Sequence, residues 1–134
     1  MKKDIAPPTV EDIAVAVVRE LNDLDELEWN VYLINFKKEK IEGVLVTSHG
    51  YGRLKNEEVK TSTLRHFLDE VSPKSFVKFE PMIETLFGLN NEYWVSFYIN
   101  KVMYDKKYIF LPETIKEENL ILIPYINKKG VMIK

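Results

Sequence analysis

Residues 90–112 read NNEYWVSFYINKVMYDKKYIFLP, and the fold turns on whether this stretch is a hairpin. It holds seven of the chain's sixteen aromatics together with Lys101, Lys106 and Lys107. Asparagine tolerates positive φ, so Asn100-Lys101 fits a two-residue turn. That turn sets Tyr93 opposite Tyr108, Val95 opposite Lys106, Phe97 opposite Tyr104 and Ile99 opposite Val102, a nearly all-apolar face. The other face pairs Trp94 with Lys107, Ser96 with Asp105 and Tyr98 with Met103, and is mixed. One apolar and one mixed face describe a sheet packed on one side. Trp94, Tyr98 and Lys107 could instead form a stacking platform for bases. Asp105 in the middle of that patch argues against the platform, and a one-residue slip in the turn would exchange the two faces.

The rest of the chain reads the same way. Trp29–Phe36 (WNVYLINF) alternates, KKEK at 37–40 is too charged to bury, and Ile41–Val46 (IEGVLV) resumes an apolar strand, so the spacing predicts a hairpin here. HGYGR at 49–53 reads as a turn or strand end. Ser75–Glu80 (SFVKFE) is a short strand that Pro81 ends, and LILIPYI and VMI make a final pair around 127–130. Two segments are ambiguous. Val10, Ile13, Ala14, Val17, Val18 and Leu21 fit a helical stripe, yet IAVAVV is β-branched at alternate positions, which favours a strand. In 60–71, Leu64, Phe67, Leu68 and Val71 have helical spacing behind a strand-favouring Thr-Ser-Thr. The expected core is Trp29, Val31, Leu33, Val44, Val46, Phe76, Phe79, Val95 and Phe97.

Composition bounds the object. A chain of 134 residues that is 46% hydrophobic and 30% charged fits one domain with a core of its own, spanning 1–134. Its formal net charge is −2, and Arg19, Arg53 and Arg65 are the only arginines. Nucleic acid is therefore not expected as a partner, because phosphate binding calls for a basic excess and arginine clamps. The chain has no cysteine, which excludes disulfides and thiol chemistry and fits a reducing, cytoplasmic setting. Lys2 and Lys3 suit a leader, but Asp4 and the Pro7-Pro8 pair break the apolar run it needs, and no stretch is long enough to span a membrane.

Few residues suggest chemistry. His49 and His66 are the only histidines, and with Tyr51, Arg53 and Arg65 they fall in two short segments. Brought together, they would form a donor cluster suited to an anionic ligand or to acid–base work. No HxH, HxxxH or HExxH spacing nucleates a metal site, and GxGxxG, the phosphate loop and GxSxG are all absent. The residues indicate no cofactor, no metal and no catalytic group.

Two resemblances follow from these segments. NVYLIN, IEGVLVTS and VSPKSFVKFE resemble the strand pattern of immunoglobulin-like sandwich modules, without the Cys–Trp–Cys pins of antibody domains. VYLIN, VTSHGYG, KTSTLRHFL, SFVKFE and NNEYWVSFY are similar to a family of short uncharacterised bacterial proteins, some labelled phenylalanyl-tRNA synthetase subunit alpha. That resemblance implies no known activity. A class II synthetase core is far longer than this chain, and HGYGR does not match its glycine-rich strand.

The sequence thus predicts a mainly β, antiparallel two-layer sandwich of immunoglobulin-like pattern. The alternative is α+β, with an N-terminal helix on one antiparallel sheet. Three functions are compatible with it. The first is a non-catalytic binding or protein-interaction module, with a protein partner or a homodimer formed through a strand edge or the mixed hairpin face. The second is a small ligand-binding protein or enzyme using the His/Arg/Tyr cluster. The third is an RNA-associated accessory protein using Trp94 and Tyr98.

Overall fold

Both central residues of the turn at Asn100-Lys101 take positive φ, 50° and 67°, as a type I′ turn requires. It joins β7 (Asn90–Ile99) to β8 (Val102–Phe110) in the register read from the sequence, with Tyr93 opposite Tyr108 and Phe97 opposite Tyr104. The structure is a computed structural model and describes residues 8–134. The leader features at Lys2, Lys3, Asp4 and Pro7 lie outside the described residues.

Two antiparallel sheets pack as a sandwich. The first contains β1 (Ile13–Leu21), β2 (Leu27–Asn35), β6 (Ser75–Met82), β9 (Ile121–Leu122) and β10 (Lys129–Ile133), in the order β6-β2-β1-β10-β9. The second contains β3 (Ile41–Leu54), β4 (Glu57–Lys60), β5 (Leu64–Val71), β7 and β8. β3 is long enough for β5 to pair with its first half and β4 with its second, while β7 runs along its other side. Both ambiguous segments are strands, so the α+β alternative falls. Among the described residues the only helices are 3₁₀ turns at Glu84–Gly88 and Glu117–Asn119, and no helix is long and apolar enough to cross a membrane.

Three sequence readings are corrected. β2 and β3 are not a hairpin, because each pairs with other strands and belongs to a different sheet. The crossing is held by Asn35, whose buried amide donates to the carbonyls of Glu39 and Ser72 at 3.0 and 3.1 Å and accepts from the Lys37 N–H. HGYGR is not a turn, and of its two readings the strand end holds. It lies inside β3, paired with β7 and then β4. Pro81 does not end β6, which runs on to Met82; on an edge strand, proline's missing N–H costs no ladder bond.

β1 explains the architecture. Ile13, Val15 and Val17 enter the core between the sheets, while Ala14, Ala16 and Val18 form a second cluster with Tyr32, Ile34, Ile123 and Ile126. The 123–128 segment therefore covers the outer face of the first sheet through Ile123 and Ile126, and the small alanines let it approach. β10 comes so close that a Cβ at Gly130 would sit 2.4 Å from the Val17 carbonyl oxygen. One charged group anchors this cover. Glu20 is buried and accepts from Tyr32 (2.9 and 3.0 Å), Asn30 (2.6 Å), Lys128 (2.9 Å) and Lys78 (3.0 Å). Desolvation alone would raise its pKa, but the bonds from Lys128, Lys78, Tyr32 and Asn30 prevail and lower it from 4.5 to about 2.

Seven of the nine expected core residues are buried, and Phe79 packs half-buried against them. Phe76 is the exception at 40% exposure. It pairs with Ile34 on the outer side and meets Tyr32 edge-on. Phe79, three positions on, has the opposite parity and reaches the core with Val77, while the ladder shift between Val31 and Tyr32 lets Glu80 face inward beside it.

Phe97 is fully enclosed, so Phe97→Ala should cost about 3–5 kcal/mol in urea unfolding, and Phe76→Ala clearly less. Because folding depresses the Glu20 pKa, its contribution is complete above the unfolded value and is lost as pH falls through the folded one. The melting temperature should therefore drop between about pH 4.5 and 2, more steeply for the native chain than for Glu20→Gln. Parallel thermal melts of the two proteins across that range check this.

Candidate functional site: the outer face of the second sheet

Alternation along β3 sorts the candidate residues. Val44, Val46 and Ser48 are buried between the sheets, so Leu45, Thr47, His49 and Tyr51 stand on the outer face. Register carries that face across its neighbours. Thr47 lies between Arg65 and Trp94, with Lys107 beyond Trp94. The next level along the strands holds Phe67, Leu45, Ser96 and Asp105 in line. On the other side of Thr47, His49 stands beside Glu92 and then Ile109, and the far end carries Glu42, Tyr98 and Met103.

The two histidines do not share a site. His66 pairs with fully buried Val46 and points inward, whereas His49 points outward from the same sheet. The sequence placed both in one cluster because their segments do pair, but a strand separates its side chains by parity. His49 instead stacks on Tyr51, ring centroids 5.5 Å apart, with its Nε2 4.0 Å from Glu92. Arg53 turns to its own hairpin, donating to the Asn56 carbonyl at 3.2 Å and lying 3.8 Å from Glu58. Arg65 is exposed beside Thr47. Four of the five members of the cluster therefore belong to the outer face or its rim, without converging on one point.

His66 joins a cluster that the sequence reading missed. Its Nε2 lies 2.7 Å from Glu80 Oε1, and the Ser48 hydroxyl donates to the same oxygen at 2.8 Å. Both contacts bridge the two sheets, because Glu80 belongs to β6. Beside them a crevice of about 110 Å³ opens between the sheets, lined by Ser48, Thr61, Leu64, Glu80, Asn91 and Tyr93. Burial, reinforced by the Glu80 charge, pushes the Tyr93 phenol upward. Serine, histidine and a carboxylate are the parts of a hydrolytic triad, but the arrangement is a different one. Ser48 donates its hydrogen bond to the carboxylate rather than to the imidazole, so the serine–histidine bond of that triad is not formed. Among the described residues no three His, Asp or Glu side chains converge to hold a metal. One signal could have found Ser48, a polar residue at an inward position of the Val44–Val46 alternation that must meet a partner.

The outer face is mixed, and among the described residues nothing covers its apolar side chains. Leu45, Phe67, Trp94, Tyr98 and Met103 are between 37% and 68% exposed. Leu45, Thr47, Trp94, Ser96, Met103 and Asp105 line a shallow depression of about 290 Å³. The Lys107 ammonium sits 4.9 Å from the centre of the Trp94 ring and covers part of its π-face. The chain matches no family model, no curated protein and no solved structure.

Glu80→Ala should cost about 1–3 kcal/mol, since it leaves the Ser48 hydroxyl and the His66 imidazole without their acceptor across the sheets. A shift in the urea midpoint measures it, and an unchanged midpoint would mean that the cluster does not join the sheets.

Proposed function

We propose that this chain is a non-catalytic interaction module that binds protein through the outer face of its second sheet. The observation that carries this reading is an asymmetry between the two outer faces. The 123–128 segment covers part of the first sheet's through Ile123 and Ile126, whereas the second sheet's presents Leu45, Phe67, Trp94, Tyr98 and Met103 with no cover among the described residues. Contiguous exposed apolar surface ringed by charge is characteristic of protein contacts, and aromatics and methionine are enriched at their centres. Asp105 and Glu92 among the aromatics, with Lys107 against Trp94, suit a protein better than a phosphate backbone.

The face, rather than a strand edge, fits this role. β8 is an edge strand, but Lys106 stands opposite buried Val95 and so points inward along it. β6 carries Pro81 and a ladder irregularity. Both devices discourage strand addition. The finer, immunoglobulin-like reading is supported by pairing order. β1, β2 and β6 adjoin in one sheet and β3, β7 and β8 in the other, as the A-B-E and C-F-G strands do in such modules.

The test is an affinity capture from the native cell with the chain as bait, beside Trp94→Asp and Phe67→Asp baits of unchanged melting temperature. Proteins held by the native bait should be lost from both variants, and no RNA should be retained. Equal capture by all three baits would refute the face as the binding surface.

A further inference from the structure

The outward residues of β8 read Met103, Asp105, Lys107, Ile109, a chemical palindrome with an apolar residue outside an acid on one side and outside a base on the other. Its centre lies at the level of Lys106, Val95, Val46 and His66, all of which face inward. A two-fold axis at that level turns Asp105 of one copy onto Lys107 of the other, twice, and Met103 onto Ile109. Deepening the interaction reading above, and resting on it, we infer that the occupant of the outer face is a second copy of this chain. The copies pack face to face about a two-fold axis that crosses the strands at the level of Lys106.

Register tests this arrangement across the whole sheet. With the axis across the strands, each strand lies over its own copy and levels exchange about position 106. Trp94 then meets Ser96, Thr47 meets Leu45, and the Arg65 guanidinium meets the Phe67 ring. Glu92 falls opposite Tyr98, and the His49 level opposite the Glu42 level. No like charges oppose one another. An axis along the strands, between β3 and β7, would instead set Arg65 against Lys107. Pairing β8 edge to edge would use the same palindrome but would press the inward Lys106 against its own copy. Face-to-face packing holds the two Lys106 residues apart, each ammonium 5.1 Å from the centre of its own Tyr108 ring.

The size is adequate. Four strands at about 4.8 Å spacing and five outward levels at about 6.8 Å make a patch of roughly 20 by 30 Å. With side-chain relief it approaches the ~800 Å² per partner of a standard interface. Such packing also buries Leu45, Phe67, Trp94, Tyr98 and Met103, the large apolar side chains exposed on this face.

Sedimentation equilibrium of the native chain should show a dimer. Asp105→Lys and Lys107→Asp should each weaken it about tenfold or more, since the axis doubles every contact. The double variant, which restores the opposition with the charges exchanged, should recover it. The chain has no cysteine, so Ser96→Cys gives a single thiol that a short bifunctional reagent should link between copies, while Lys106→Cys should form no spontaneous disulfide. A native chain monomeric at every concentration, a double variant that fails to recover, or a disulfide at Lys106→Cys without linkage at Ser96→Cys overturns the inference. If the chain is monomeric yet Trp94→Asp still abolishes capture of other proteins, the face binds a different partner and only the dimer falls. If neither dimer nor capture depends on the face, both readings fall.

Discussion

Parity is the constraint on which the rest of this molecule depends. In a strand, every side chain is committed to one face by its position relative to its neighbours. The two-residue turn at Asn100-Lys101 fixes that parity for β7 and β8 by closing Ile99 on Val102. Ladder pairing then carries it to β3 and from there to β5. One turn thereby settles that Tyr93, Val95 and Phe97 face the core while Trp94, Ser96 and Tyr98 face out. A change of one residue in that turn would exchange a buried aromatic row for an exposed one, at a cost of several side chains' worth of hydrophobic burial.

The two sheets meet the need to bury apolar surface differently. β1 is apolar on both faces, so it demands a cover beyond the core, and the chain supplies its own 123–128 segment. Polar bonds finish that cover. Glu20 gathers Lys78 from β6 and Lys128 from the segment itself, with Tyr32 and Asn30 filling its remaining acceptor positions. A buried carboxylate is costly when unpaired, and here every contact around it is a donor. Burial, and then the bonded and charged Glu20, push the Tyr32 phenol upward in turn. Among the described residues the second sheet has no such internal cover, which leaves its outer apolar side chains to a partner.

The candidate site was partly legible. Trp94 and Tyr98 were read as the mixed face of the hairpin and are exposed. The parity of β3 was also in the sequence, since Val44 and Val46 place Ser48 inward and His49 outward. What misled the reading was proximity of segments: β3 and β5 do pair, but pairing sets His66 beside Val46 rather than beside His49. Glu80 could not be linked to His66 or Ser48 from sequence, because the contacts span the gap between sheets and involve a strand 14 residues from one partner and 32 from the other.

The sequence by itself determined most of the strands, the turn register and most of the core, because these follow from local alternation and from turn chemistry that neighbouring residues carry. In the doubtful segment 10–21 the β-branched alternation of Ile13, Val15 and Val17 favours the strand that forms, whereas 62–71 stays open in the sequence and becomes a strand by pairing with β3. Only the tertiary structure decided that β2 and β3 part into different sheets, that a ladder shift turns Glu80 inward beside Phe79, and that the 123–128 segment covers one outer face while the other has no cover among the described residues. Those outcomes depend on which strand lies beside or beneath which. That choice is made by the fit of whole faces across the sandwich, which no short stretch of sequence encodes.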